Sequence, residues 1–332
     1  INRGKKDYTT LPAAPGITRD SVKNMLVFDY GEQKSLDALK ERGSELAAII
    51  VEPVQSRAPE LQPKVFLQQL REIASEFGIV LIFDEVVTGF RTCLGGAQEY
   101  FDIRADLATY GKVVGGGWPI GVIAGKAAFM DALDGGQWQY GDASIPEVGV
   151  TYFAGTFVRY PPALAAAKAV LTYLSKEGPE LQIRLNRRCA EMVDQLNANF
   201  SMLGAPLQIN HFASVMKIAF TEEIQHEELL YYLLREKGVH IWHHRPCFLT
   251  LAHTDEDIQF VINAFNASVR ELQQECFLPN YVRQIQNEDI VAKADASKPP
   301  IPGARLGKNP EGNPAWFIKD PNRPGKYLQV GG

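Results

Sequence analysis

The sequence predicts an α/β protein with a mostly parallel sheet, and three observations lead to this prediction. Residues 79–83 form a continuous apolar run, typical of a strand that is buried on both faces of a parallel sheet. Residues 63–77, directly before it, have apolar side chains at steps of three and four, as in an amphipathic helix. Another apolar strand, 46–51, precedes that helix. Strand–helix–strand order implies right-handed crossovers and helices on both faces of the sheet.

The other elements of the first half are predicted from shorter patterns. Residues 1–24 lack periodicity and resemble a loop, whereas 32–41 have helical spacing. We predict strands at 105–110, 119–124 and 152–156, helices at 127–133 and 162–174, and a loop at 135–150. Together these elements predict a large α/β domain over residues 1–178.

The pattern of predicted helices and strands changes near residue 179. We predict helices at 181–200, 226–237 and 254–272, and strands at 207–209, 214–220, 239–242 and 248–251. Thr254 followed by Asp257 predicts a helix start of the capping-box kind. Residues 179–275 are therefore predicted to form a smaller α+β domain. Residues 276–332 are polar and rich in proline, which is typical of a linker between domains.

Composition narrows the class of protein. The 332 residues suffice for two domains, and 45% hydrophobic and 22% charged residues are ordinary for a globular chain. A net charge of −5 argues against nucleic-acid and membrane-surface partners, and the sequence has no membrane-spanning run or signal peptide. Four scattered cysteines favour reduced thiols in the cytoplasm and no metal site. Because the chain starts at Ile1 in a polar stretch, we expect a longer protein.

Two charged residues follow predicted strands where a ligand site is expected. Asp84 ends the apolar run 79–83, and ligands of open α/β sheets bind beyond the carboxyl ends of the strands. Lys112 comes just after the strand 105–110 and beside a glycine run at 115–117, where the backbone can approach a flat ligand. Each feature alone is typical of a solvated turn, but their combination predicts a site.

The stretches around these residues resemble one enzyme family. They read Asp-Glu-Val-Val-Thr-Gly-Phe-Arg from Asp84, Gly-Gly-Ala-Gln-Glu-Tyr-Phe from Gly95, and Asp-Leu-Ala-Thr-Tyr-Gly-Lys-Val-Val-Gly-Gly-Gly from Asp106. This pattern closely resembles the core of the class-III aminotransferases related to glutamate-1-semialdehyde aminomutase. Over about residues 1–275 the resemblance implies fold type I, a three-layer α/β/α domain, a pyridoxal 5'-phosphate cofactor and transaminase activity.

The resemblance implies roles for individual residues. Asp84 would keep the pyridine nitrogen of the cofactor protonated, and Val86 would pack flat on the ring. Lys112 would form a Schiff base with the cofactor at rest and then move a proton, a task for which burial beside cationic groups favours the neutral amine. Gly155 and Thr156 would bind the cofactor phosphate of the neighbouring subunit, which implies a homodimer, although a plain turn is the alternative there.

Weaker candidates lie around two other sequence positions. Glu52 ends the strand 46–51 and begins an EPV motif that resembles the family's cofactor-binding segment. Gln55 and Arg57 follow where the aminomutase has a small-Gly-Asn pattern, so Arg57 would meet a substrate carboxylate or lie in solvent. Arg245 is a further substrate candidate. The two histidines before it lie next to each other, and adjacent strand residues point to opposite faces, which disfavours a metal site.

Within the family, the chain is most similar to aminotransferase domains of hybrid polyketide/nonribosomal-peptide synthases of the microcystin, nodularin and iturin type. This narrower resemblance rests on the segment at Gln55, the loop 138–142 and the tail 303–328. It implies amination of a β-keto acyl thioester on an acyl carrier protein, an amino donor such as glutamate, and neighbouring synthase domains.

Two alternatives remain at this stage. One is a stand-alone glutamate-1-semialdehyde 2,1-aminomutase, and the other is a catalytically inactive structural domain. The family also uses an upstream phosphate loop and a ring-stacking aromatic residue, which we do not find in this sequence. We therefore expect weaker cofactor binding by this chain alone.

Overall fold

The structure is a computed structural model that describes residues 2–3, 8–139, 141–147, 149–281, 304–310, 312–319 and 325–331. The chain divides into two units. The first unit comprises residues 1–190, 210–217 and 246–251, and the second comprises residues 191–209, 218–245 and 252–332.

The elements follow the chain in an α/β order. The strands are β1 Asn2–Arg3, β2 Thr10–Leu11, β3 Ala48–Val51, β4 Val80–Asp84, β5 Leu107–Tyr110, β6 Val122–Gly125, β7 Leu207–Phe212, β8 Val215–Phe220, β9 Cys247–Phe248, β10 Arg305–Lys308, β11 Pro314–Lys319 and β12 Tyr327–Gly331. The helices are α1 Gln33–Glu41, α2 Lys64–Phe77, α3 Gly96–Phe101, α4 Ala127–Asp134, α5 Pro161–Glu177, α6 Glu180–Met202, α7 Leu229–Glu236 and α8 Asp255–Gln274. Short 3₁₀ turns lie at Arg19–Ser21, Gly43–Glu45 and Lys112–Gly115.

The main sheet of the first unit has the order β3-β4-β5-β6. Strands β3 and β4 are parallel with Val51 opposite Phe83, and β4 and β5 are parallel with Asp84 opposite Thr109. Strand β6 is antiparallel to β5. The predicted mostly parallel sheet is therefore confirmed.

Helix α2 covers one face of this sheet. Its apolar positions, which include Leu67 and Leu70, are buried in one cluster with Leu81 and Phe83 of β4. Pro63 precedes the first turn, and Gly78 ends the helix with a φ of 67°, a conformation that glycine adopts without a steric penalty. The periodicity of the sequence thus gave the correct helix and its correct ends.

Strand β4 was expected to be buried on both faces, but its burial alternates. Leu81 and Phe83 are fully buried, whereas Val80 and Ile82 are only half-buried. On the face that carries Ile82, the neighbouring Ile50 is 69% exposed. Apolar composition alone does not distinguish burial on one face from burial on two, because both produce a continuous apolar strand. By the same alternation, Asp84 belongs to the less covered face.

The second unit has its own apolar core. Its buried side chains come mainly from α6, α7 and α8, and Phe200 packs on Phe265 with ring centroids 5.9 Å apart. Helix α8 begins with the predicted capping box, in which Thr254 and Asp257 exchange hydrogen bonds between side chain and backbone. No helix in the described ranges is long and apolar enough to cross a membrane.

Two local predictions were wrong. Residues 152–156 and 239–242 were expected to be strands, but neither segment is a strand. Tyr152 is 91% exposed, so this apolar segment lacks the neighbouring chain that a strand requires. In the tail, which was predicted to be a linker, strands β10, β11 and β12 form an antiparallel sheet.

The sheet in the tail is formed by short strands that lie between proline-rich stretches, and the proline content favoured the linker interpretation. Trp316 lies opposite Leu306, and Ile318 lies opposite Leu328, so apolar side chains meet across the strands. The linker role of residues 276–332 stays a prediction. Tyr140, Gly303, Glu311 and residues 320–324, on which part of the narrower resemblance rests, lie outside the described residues, as do residues 282–302 of the predicted linker.

A buried carboxylate, Asp106, binds groups from three segments of the first unit. Its Oδ2 accepts hydrogen bonds from the Leu81 backbone N–H and the Arg71 guanidinium, each at 2.8 Å. Its Oδ1 accepts one from the Lys126 ammonium at 2.6 Å. Burial by itself raises the pKa of the Asp106 carboxyl, but the bonds from Lys126, Arg71 and the Leu81 N–H outweigh burial and bring the pKa to about 2.

We expect Asp106→Asn to lower the free energy of unfolding by about 2 kcal/mol at pH 7. Because the pKa of Asp106 is lower in the folded protein than in the unfolded chain, its stabilisation is complete above the unfolded pKa near 3.8 and declines as the pH falls towards 2. The difference between variant and wild type should therefore shrink over that range in urea titrations.

The matched control is Asp102→Asn. Asp102 is exposed in a left-handed conformation with a φ of 57°, which asparagine tolerates well. This control should keep wild-type stability at every pH. A difference for Asp106→Asn that does not change with pH would contradict the assigned ion pairs.

Candidate active site

Three candidate residues, Glu52, Asp84 and Lys112, lie at or just after the carboxyl ends of neighbouring strands at the same edge of the main sheet. Glu52 follows Val51 of β3, which pairs with Phe83, so Glu52 comes level with Asp84 at the end of β4. Asp84 in turn pairs with Thr109 of β5, and Lys112 follows three residues later. The expected clustering of Glu52, Asp84 and Lys112 at one sheet edge therefore follows from the parallel register.

Asp84 is half-buried and held through one oxygen. Its Oδ1 accepts hydrogen bonds from the Val86 backbone N–H at 3.1 Å and from the Thr109 hydroxyl at 3.3 Å. Within the described ranges, Oδ2 has no hydrogen-bond partner in the structure. The carboxylate is thus fixed in orientation while one acceptor remains available.

Glu85, the next residue, is fully buried and ties the turn after β4 to α3. Its carboxylate accepts hydrogen bonds from the backbone N–H groups of Ala97 and Gln98 and from the Thr88 hydroxyl. Burial raises the pKa of the Glu85 carboxyl, and these hydrogen bonds oppose that effect. Gly96 lies so close to the carboxylate that no Cβ would fit at that position.

Lys112 stands at the start of the 3₁₀ turn that follows β5. Its φ of 46° lies in the left-handed region, which costs energy for a residue with a Cβ. Its side chain is exposed, so the expected burial of Lys112 is not found in this chain. Farther along the turn, a Cβ at Gly116 would lie 2.8 Å from the Val170 side chain, and glycine is therefore what lets α5 approach.

Val86 lies next to the backbone that leads to Lys112. A Cβ placed on Gly111 would be 3.4 Å from Val86 Cγ1, so the valine side chain covers Gly111 at contact distance. Val86 is half-buried. The structure therefore brings Asp84, Val86 and the backbone of the Lys112 turn together.

The segment after β3 is ordered by polar contacts. Glu52 Oε1 accepts a hydrogen bond from the Ser56 backbone N–H at 3.0 Å, and the Tyr30 hydroxyl donates to the Pro53 carbonyl. Burial, followed by the charge of Glu52, raises the pKa of Tyr30. Gln55, which follows Pro53, is half-buried.

Arg57 has an exposed side chain, and its carbonyl accepts a hydrogen bond from Lys217 at 2.6 Å. This exposure fits the solvent alternative as well as a substrate contact.

The remaining candidates are Gly155, Thr156 and Arg245. Gly155 and Thr156 lie exposed at the turn before α5, where the Gly155 carbonyl accepts the Val158 N–H at 3.1 Å. Arg245 belongs to the second unit, and its guanidinium stacks on Trp242 at 5.1 Å from the ring centroid. Their site roles stay predictions.

The sequence profile of the class-III aminotransferases matches residues 14–269. The chain belongs to the class-III aminotransferase family. A curated relative, the glutamate-1-semialdehyde 2,1-aminomutase of Alkaliphilus oremlandii, is 34% identical over 276 residues, which cover 80% of this chain and 62% of that protein. The chain spans about half to three fifths of the length of the curated relatives it matches.

Solved structures agree with this assignment. The β-phenylalanine aminotransferase of Variovorax paradoxus has a TM-score of 0.66 and 28% identity, with 77% of this chain and 59% of that chain covered. A transaminase with PLP bound has a TM-score of 0.70 and 24% identity, with 81% and 63% covered. This class-III aminotransferase chain therefore has the fold-type-I architecture of PLP-dependent transferases, as the sequence predicted.

Sequence reasoning about this class-III aminotransferase missed the contacts of two residues in the first unit. One is Thr109, whose hydroxyl contacts Asp84; the parallel register could have revealed it. The other is Arg91, which donates hydrogen bonds to the Ser214 hydroxyl at 2.9 Å and the Leu249 carbonyl at 3.4 Å. Burial lowers the pKa of Arg91. No sequence pattern indicated the Arg91 contacts, because they join segments more than 120 residues apart.

Proposed function

We propose that the complete protein catalyses PLP-dependent transfer of an amino group. The observation that carries this proposal is the sheet edge at which Asp84 keeps a free oxygen and Lys112 follows the neighbouring strand in a strained conformation. A carboxylate and a lysine in family-specific motifs also argue against the inactive structural domain.

The residues at this edge fit pyridoxal 5'-phosphate. Asp84 Oδ2 is an acceptor for a protonated pyridine nitrogen, and Val86 offers an apolar side chain to the ring. Glu52 borders the same edge, and Gly155 and Thr156 of a second copy would supply a backbone amide and a hydroxyl for the phosphate. When bound, the cofactor supplies an electron sink for the charge left by proton removal.

The protein's own groups then perform two tasks. Lys112 Nζ would hold the cofactor covalently at rest and, when free, would act as the base that takes a proton from the substrate carbon. Asp84 Oδ2 keeps the pyridine nitrogen protonated, which requires the negative charge of the carboxylate. Arg57, Gln55 and Arg245 remain the substrate candidates.

Two reactions are compatible with these tasks of Lys112 and Asp84. The named curated relatives favour a glutamate-1-semialdehyde 2,1-aminomutase, which moves an amine within one substrate. The narrower sequence resemblance favours a β-keto acyl thioester on an acyl carrier protein, with glutamate as the amino donor. A β-phenylalanine aminotransferase among the structural neighbours supports a β-amino product within this family.

We further propose a homodimer. The loop that contains Gly155 and Thr156 also exposes apolar rings, with Tyr152 at 91% and Phe157 at 80% exposure. Exposed apolar surface of this kind is typical of an interface. A second copy that covers this loop would also bring its Thr156 to a cofactor phosphate.

The experiment is a comparison of substrates with the complete protein and added PLP. Conversion of glutamate-1-semialdehyde without consumption of an amino donor would establish the aminomutase. Stoichiometric formation of 2-oxoglutarate from glutamate, with a β-keto acyl carrier protein as acceptor, would establish the synthase role. Absence of PLP binding and of both reactions would refute the proposal.

A further inference from the structure

The orientation of Asp84 depends on a single removable donor. Two groups donate to its Oδ1, the Val86 backbone N–H and the Thr109 hydroxyl. The first belongs to the backbone and survives any side-chain substitution. The second is lost when Thr109 is replaced by a residue without a hydroxyl group.

The backbone of Thr109 is fixed on both sides. Strand β5 pairs with β4 through Asp84 opposite Thr109, and with β6 through Thr109 opposite Ile123. The Thr109 carbonyl also accepts a hydrogen bond from the Glu85 backbone N–H at 2.9 Å. The hydroxyl is therefore presented from a central strand, which is a precise support for a binding group.

The turn on the other side of Asp84 is equally constrained. The buried Glu85 carboxylate binds the start of α3, and the Glu85 carbonyl accepts the Gly89 N–H at 2.9 Å. The Gln98 side chain of α3 donates a hydrogen bond to the Tyr110 hydroxyl at 3.1 Å, and this bond connects α3 to the end of β5. With the backbone held in this way, the Val86 N–H and the Thr109 hydroxyl together set the rotation of the Asp84 side chain, and only the hydroxyl can be removed by substitution.

We propose that Thr109 is a positioning residue for amino transfer, whose hydroxyl holds Asp84 Oδ1 so that Oδ2 faces the pyridine nitrogen of the cofactor. This inference rests on the proposed function. Thr109 itself touches neither substrate nor cofactor; it acts through Asp84. Because one hydrogen bond to a charged group is lost, its removal weakens cofactor binding by about tenfold.

The test uses Thr109→Val, which keeps the β-branched shape, and Thr109→Ser, which keeps the hydroxyl. The dissociation constant of PLP is measured on the apo-protein by quenching of tryptophan fluorescence. We expect an increase of about tenfold for Thr109→Val and recovery in Thr109→Ser. The kcat should fall by a similar factor while the KM of the amino donor is unchanged. Thr221→Val, on an exposed residue after β8, is the matched control.

A double-mutant cycle separates positioning from a purely structural role. If Thr109 acts through Asp84, Thr109→Val in an Asp84→Ala background, which lacks the oxygen that the hydroxyl holds, should cause no further loss of PLP affinity. A structural role would instead lower the melting temperature of the apo-protein and leave the dissociation constant unchanged, which would overturn the inference.

Failure of the inference can be distinguished from failure of the proposed function. If borohydride fixes PLP to Lys112 in the wild type, and Thr109→Val binds PLP as tightly, only the role of Thr109 is refuted. If the wild type does not bind PLP at all, both the proposed function and the role of Thr109 are refuted.

Discussion

Lys112→Ala is expected to abolish turnover, with a loss of at least ~10⁴-fold in kcat. No other described lysine follows β5 at the edge of the sheet where Asp84 lies. The substitution should leave the fold intact, because the Lys112 side chain is exposed and both residues have a Cβ at the same strained φ. The free energy of unfolding of Lys112→Ala should therefore stay within ~0.5 kcal/mol of the wild-type value.

The measurement combines kinetics with chemical mapping. Borohydride reduction of the complete protein with PLP, followed by peptide mapping, should place the reduced cofactor on Lys112. Lys112→Ala should bind PLP only reversibly and yield no labelled peptide. Lys40→Ala, on an exposed position of α1, should retain both label and activity. A label on another lysine would contradict the assignment.

Asp84→Asn is expected to bind PLP but to react ~10²–10⁴-fold more slowly. Asparagine can still accept the hydrogen bonds of Val86 and Thr109 through its amide oxygen, so the geometry of the turn is retained. The negative charge that keeps the pyridine nitrogen protonated is lost. The deficit should therefore appear in kcat, with a small change in the KM of the donor.

The rate of exchange of the donor's α-hydrogen in D₂O measures the affected step directly. It should fall in parallel with kcat for Asp84→Asn. Asp102→Asn, which changes an exposed carboxylate at the end of α3, should exchange at the wild-type rate. Exchange at the wild-type rate in Asp84→Asn would show that Asp84 does not support proton removal.

Local patterns in the sequence determined much of the fold. Apolar spacing identified α2, Gly78 identified its end, and Thr254 with Asp257 identified the start of α8. These features depend on residues within one or two turns of each other, so they can be predicted without knowledge of distant contacts. The same applies to Asp84, which ends an apolar strand and begins a family-specific motif.

Only the tertiary structure decided how these elements meet. The register between β4 and β5 placed Thr109 beside Asp84, and the buried Glu85 joined the turn to α3. Likewise, the one-sided burial of β4 and the lack of a strand at residues 152–156 depend on which segments lie alongside. Register, burial of a face and long-range hydrogen bonds are properties of two segments at once, and the sequence of either segment does not contain them.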